Sequence, residues 1–203
     1  MVNSGTFQVR IHGRGGQGAV TAAELLSVAA FDEGRHAQAF PSFGSERTGA
    51  PVVSFCRLSG RPIRTHEPVS APDALIVLDP TLVHQVDLFA GLGPDGYLLL
   101  NSAKPLADLR LGDLTGTLRP GRALSIPAGE IARRHLGKPL PNAALLGGFA
   151  ALTGQLGLDA VQDAIRERFP GRAGEANAAA AAECFELVRT QLAAQKPEVP
   201  SHA

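Results

Sequence analysis

The sequence predicts an α/β fold: a mostly parallel sheet flanked by helices, with a β-hairpin insertion and a helical C-terminal third. Three observations predict it. Near the N-terminus a short alternating segment runs into a glycine-dense stretch and then into a run of helix formers. Ala74–Leu78 and Tyr97–Leu100 are continuous apolar runs of strand length, as strands buried on both faces require. From Asn142 onward the chain turns alanine-rich, with apolar residues at helical spacing.

In order, Phe7-Gln-Val-Arg-Ile-His12 alternates apolar and polar as a strand does, Gly13-Arg-Gly-Gly-Gln-Gly18 is a loop, and Ala19–Phe31 is a helix stopped at Asp32-Glu-Gly34. His36–Phe40 reads as a second strand halted by Pro41. Residues 41–51 hold too many Gly and Pro for an element interior and form a loop of functional length. Val52–Leu58 and Pro62–Thr65 flank Ser59-Gly-Arg61 as a hairpin. After the strand Ala74–Leu78, Asp79-Pro80 introduces a helix over Thr81–Phe89. Tyr97–Leu100 and Ala123–Ile126 are further strands, the latter followed by Pro127 and a short helix to His135. Ala143–Leu156 and Leu158–Phe169 form a helical pair broken at Gly157, and Glu175–Ala194 is a long helix whose Ala178–Ala182 run suits close packing. The 203 residues suit one domain over 1–195, with 196–203 a frayed tail.

Charge and cysteine content exclude several functions. Nineteen Lys and Arg balance nineteen Asp and Glu, so the basic excess of a nucleic-acid binder is missing. Cys56 and Cys184 are too few for an iron–sulfur cluster within this chain, which takes about four thiolates, and the histidines show no zinc-type spacing. No signal-peptide pattern and no apolar run near ~20 residues is visible, so a soluble cytoplasmic protein is expected.

Gly13-x-Gly15-x-x-Gly18, between strand and helix, fits a Rossmann-like dinucleotide loop. Glycines let the backbone turn tightly and approach a ligand, while free amides and the helix dipole face an anion. Arg14 adds a full charge. The same glycines also serve plain strand-to-helix packing. A conventional nicotinamide site expects an acid about 20 residues on, but the second strand ends Ala39-Phe-Pro41, so phosphate binding is favoured over nicotinamide binding. In the following loop Glu46 and Arg47 pair, orient a partner, or are simply solvated. His12 closes the first strand, where donation to a backbone carbonyl is the commoner role. Asp79, at a strand tip, binds ligand or caps the next helix, and capping is favoured. No G-x-S-x-G elbow and no Cys–His pairing offers a catalytic group, and none is assigned.

Read together, His12–Ala23, Ala37-Gln-Ala-Phe-Pro41, Phe43–Pro51, Pro62-Ile-Arg64, Leu78-Asp-Pro-Thr-Leu82, Leu140-Pro-Asn142, Leu145–Phe149 and Ala176-Asn-Ala178 resemble, in order and spacing over roughly residues 7–190, the gamma subunit of the 2-oxoacid:ferredoxin oxidoreductases of the pyruvate/2-oxoisovalerate type. The resemblance implies a multi-subunit enzyme that oxidatively decarboxylates a 2-oxoacid with coenzyme A, giving an acyl-CoA, carbon dioxide and a reduced acceptor. It implies alpha, beta and ferredoxin-like delta partners, with ferredoxin or an NAD-linked flavin subunit as acceptor. Thiamine diphosphate, magnesium and [4Fe-4S] clusters are expected on those partners, since this chain has few cysteines and no GDG…N string for the thiamine. Coenzyme A is expected as co-substrate at the subunit junction. Its phosphates would lie on Gly13, Arg14, Gly15, Gly16, Gln17 and Gly18, with Ser45, Glu46, Arg47 and Thr48 lining its path. A free-standing NAD(P)- or flavin-binding reductase and a purely structural assembly subunit are the alternatives.

Overall fold

The computed structural model describes residues 5–42, 48–109 and 111–195. The expected tail and the stretch Phe43–Arg47 lie outside these residues. The strands are β1 (Thr6–Arg14), β2 (His36–Pro41), β3 (Pro51–Ser59), β4 (Ala74–Val77), β5 (Tyr97–Asn101) and β6 (Ala123–Ile126). They form one sheet in the order β2-β3-β1-β4-β5-β6. β1, β4, β5 and β6 run parallel, while β3 is antiparallel to both β1 and β2. The helices are α1 (Ala19–Asp32), a single turn α2 (Gly112–Thr115), α3 (Ala128–Leu136), α4 (Asn142–Thr153), α5 (Leu158–Arg168) and α6 (Arg172–Ala194). None is long and apolar enough to cross a membrane among the described residues.

The alternation of strand side chains divides the sheet into two faces. Val9, Ile11, Cys56, Leu58, Ile76 and Leu99 share one core with α1, α3, α4, α5 and α6. Leu75, Val77, Leu98 and Leu100 point the other way, into a smaller core closed by Leu82, Leu88, Leu111 and Leu118 from irregular connections. The long helices therefore gather on one face, and turns cover the other.

The antiparallel ribbon is present, but β2 and β3 make it. Pro62–Thr65 is not a strand. β1 and β2 already take both edges of β3, and the prolines at 62, 68 and 72 supply no ladder donors. The segment after β3 lies instead as a strap whose carbonyls are held by arginines rising from the sheet. Arg57 donates to the Glu67 carbonyl, and Arg10 to those of Val69 (3.4 Å) and Ser70 (3.5 Å). Arg10 also donates to Leu88 (2.8 Å) and Ala90 (2.6 Å). A second departure from the sequence reading lies beside that clamp. The expected helix over Thr81–Phe89 shrinks to a 3-10 turn at Pro80–His84, and beyond it Arg10 holds the Leu88 and Ala90 carbonyls.

Candidate active-site loop at the carboxyl edge of the sheet

β1 enters the glycine loop at the carboxyl edge of the parallel strands. Gly13 packs closely on β4's end: a Cβ there would lie 2.9 Å from Leu78 Cδ1, so the Leu78 side chain would have to shift. Gly16 (φ +94°) and Gly18 (φ +81°) take left-handed backbone that favours glycine. Gly18 is the N-cap of α1, with no side-chain cap and no acid in the first turn. The leading amides and the positive end of the dipole therefore face a hollow of about 370 Å³ lined by Arg14, Gly15, Gly16, Val20, Thr21 and Val52. Gly16, Gly18 and Thr21 also line a second hollow of about 370 Å³, walled opposite by Lys138, Asn142 and Asn177.

The cationic and amide side chains of the loop turn inward. Arg14 Nε donates to Asp79 Oδ2 (3.0 Å), Nη1 to the Gly49 carbonyl (3.1 Å), and Nη2 to Thr81 Oγ1 (2.7 Å) and Gln85 Oε1 (2.9 Å). Gln17 Oε1 accepts from the Arg14 amide (2.7 Å), and its Nε2 donates to Asp79 Oδ2 (2.9 Å). Asp79 is also the cap expected of it, accepting from the Thr81 amide at 2.9 Å and its hydroxyl at 2.6 Å. Burial pushes the Asp79 carboxyl up, but hydrogen bonds from Thr81 and Gln17 and the Arg14 charge outweigh it and hold it below the usual range. This network lies between the ends of β1 and β4, whose connections leave in opposite directions. Open α/β sheets bind dinucleotides in that crevice, and here protein side chains fill it.

Gly13 to Gly18 and Thr48 are brought together. Gly15 donates to Ala50 (2.9 Å), Gly49 donates to Gly15 (3.1 Å), and Gly15 pairs with Thr48. Ser45, Glu46 and Arg47 lie outside the described residues. His12 is buried beside the loop on the sheet face opposite α1. Its ring makes no hydrogen bond among the described residues, unlike the expected donation to a carbonyl, and Nε2 is wholly buried without a partner. Cys56 and Cys184 sit in the helix-side core, where burial pushes both thiols up to about 12. Separate, protonated and enclosed, they do not fit a cluster. Asn142 and Asn177, each 8% exposed, lie across from Gly18. Their strings carried the resemblance, but polarity along a helix does not show that two separate helices bring them to one wall.

Comparison with known proteins turns this geometry into an assignment. The family described as pyruvate ferredoxin/flavodoxin oxidoreductase matches residues 8–187. The chain belongs to the pyruvate ferredoxin/flavodoxin oxidoreductase family. It is 46% identical over 183 residues to pyruvate synthase subunit PorC of Methanothermobacter marburgensis, covering 90% of this chain and 98% of that one. It is 47% identical over 179 residues to the pyruvate/ketoisovalerate oxidoreductases common subunit gamma of Thermococcus kodakarensis, covering 88% and 95%. The solved pyruvate oxidoreductase subunit PORC from Thermotoga maritima superposes with a TM-score of 0.77 at 34% identity, covering 90% of this chain and 97% of that one. Within this family of oxidoreductases the filled crevice leaves the free-standing reductase without support.

Proposed function

We propose that this gamma subunit of a pyruvate/2-oxoacid ferredoxin oxidoreductase complex docks the phosphates of coenzyme A on its glycine loop, at the junction with the subunits that carry the redox chemistry. The supporting observation is the uncapped start of α1, whose amides open onto the hollow beside Gly15 and Gly16. A pyrophosphate is the kind of group such a terminus favours. Arg14 and Gln17 act here by holding the loop to Asp79 rather than by reaching the ligand, since their polar atoms are committed within the chain. Thr48, bridged to Gly15, sets the side from which the pantetheine arm leaves. The complex assembles in the cytoplasm with alpha, beta and ferredoxin-like delta subunits. There magnesium, thiamine diphosphate and [4Fe-4S] clusters supply carbanion stabilisation and electron transfer to ferredoxin or an NAD-linked flavin subunit.

The test is Thr21→Glu in the intact complex. A glutamate in the first turn suits the helix dipole, so folding is preserved. It also sets a carboxylate where the phosphates would sit. The KM for coenzyme A rises roughly ten-fold, with kcat, thiamine content and cluster absorption unchanged. An unaltered KM assigns the loop to assembly alone.

A further inference from the structure

We infer that the open hollow at the carboxyl ends of β4, β5 and β6, rimmed by Lys104 and Arg133, receives an acidic segment of another subunit of the complex. This surface is separate from the glycine-loop hollows, on the other side of the Asp79 turn, and does not depend on where coenzyme A sits.

Open α/β sheets present their crevice at the carboxyl ends of the strands. Between β1 and β4 that space is filled by Arg14, Gln17 and Asp79. A concavity of about 580 Å³ remains on the same edge, further along the sheet. One wall is the 3-10 turn Pro80–His84, and the floor is the end of β5 from Asn101 to Lys104. The other wall is Gly129, Glu130 and Arg133 of α3, with Pro139 beyond them. Asn101 fixes this shape. Its Nδ2 donates to the Leu78 carbonyl (2.9 Å) and its Oδ1 accepts from the Gly129 amide (2.9 Å). One carboxamide so ties the ends of β4 and β5 to α3, and the hollow is preformed. With Asn101 spent on the fold, polar recognition falls to the rim.

The rim is cationic. Lys104 and Arg133 are exposed, and neither side chain has an ion pair or hydrogen bond among the described residues. Elsewhere the chain matches surface arginines with its own acids. Arg119 pairs with Asp95 (3.0 Å), Arg166 with Asp163 (3.1 Å) and Glu175 (3.0 Å), and Arg134, the neighbour of Arg133, with Glu183. At the hollow Glu130 alone among the lining residues is acidic, against two fixed cations and His84, in a chain of zero net charge. A carboxylate from outside completes the set, and a guanidinium takes it through two parallel hydrogen bonds.

The rest of the lining points to a protein segment as its source. Ala103, Leu109 and Pro127 give the hollow apolar surface. Its mouth continues onto exposed Pro139 and onto Leu140, which at 39% exposure is one of two large apolar side chains so open among the described residues. Apolar surface with charges at its margin is the make-up of a protein interface. The chain is a subunit of an oxidoreductase complex, so its partners supply such segments.

The experiment is carbodiimide cross-linking of the intact complex, which joins a lysine amine to a carboxylate in direct contact. The chain has three lysines, Lys104, Lys138 and Lys196, so each product maps to one of them. Lys104 is found joined to an Asp or Glu of another subunit. In parallel, the complex is captured through a tag on this chain carrying Lys104→Glu and Arg133→Glu. At ~0.1 M salt, where charges still act over ~10 Å, retention of that subunit falls roughly ten-fold. Lys104→Gln with Arg133→Gln gives a smaller loss in the same direction, which guards against a folding artefact. Arg61→Glu with Arg64→Glu, at exposed positions away from the hollow, leaves retention unchanged. Lys104 joined only to Glu130 of its own chain, with all partners retained by the double variant, overturns the inference and leaves the hollow to a small anion. Equal loss in the Arg61 and Arg64 variant overturns it too, since the effect is then one of total charge.

Discussion

Gly18 meets two constraints at once. Its φ of +81° would cost an L-residue roughly 1–2 kcal/mol, and an added Cβ would press on Asn142 at 2.4 Å. Gly18→Ala therefore lowers stability by about 2 kcal/mol, read as a fall in the thermal midpoint of the full chain. Gly16, at φ +94° but with open space beside it, has only the first constraint. The regular spacing of the glycines displays neither distinction. Arg14 teaches the same lesson. As a loop cation it reads as a ligand contact, but Asp79, 65 residues on, claims it. Only the pairing of β1 with β4 brings those two strand ends together.

At the scale of elements, the helical layer depends on one close crossing. Gly147 of α4 faces α6 so tightly that a Cβ would lie 1.9 Å from the Ala181 carbonyl oxygen. The alanine run of α6 exists to permit that approach, with Ala178, Ala180 and Ala181 fully buried. Gly147→Val forces the helices apart and destabilises by about 3 kcal/mol, measurable by denaturant unfolding. Strand periodicity and the apolar runs made most elements legible beforehand. The exceptions lie beside buried arginines: the strap after Pro62–Thr65 gives its Glu67, Val69 and Ser70 carbonyls to Arg57 and Arg10, and the segment after His84 gives those of Leu88 and Ala90 to Arg10, tertiary contacts without a local signature.

Across the whole molecule, stability bends with pH through His12. Burial first, then the Arg10 charge, holds its pKa near 4 instead of 6.5. The unfolded chain takes up a proton as pH falls through 6.5, while the folded chain refuses it until about 4. Stability is thus lost on acidification across that window, by up to about 3 kcal/mol. Unfolding free energies at pH 7.5 and 5.0 should show the loss, and His12→Gln should flatten it. Asp79 works in the same direction at lower pH, since its depressed carboxyl contributes stability that vanishes as it protonates.

By itself the sequence determined the α/β class, the strand–glycine loop–helix unit, the capping role of Asp79 and, through several strings in order, the resemblance to an oxidoreductase gamma subunit. These follow from periodicity, turn chemistry and short-range spacing, all local properties of a chain. Tertiary structure alone decided that β3 lies between β1 and β2, that Arg14 and Gln17 face Asp79 rather than solvent, and that Asn142 and Asn177 share one wall with Gly18. Those outcomes depend on which distant segments meet, which is settled by burial of both sheet faces and by the need to satisfy each enclosed polar group.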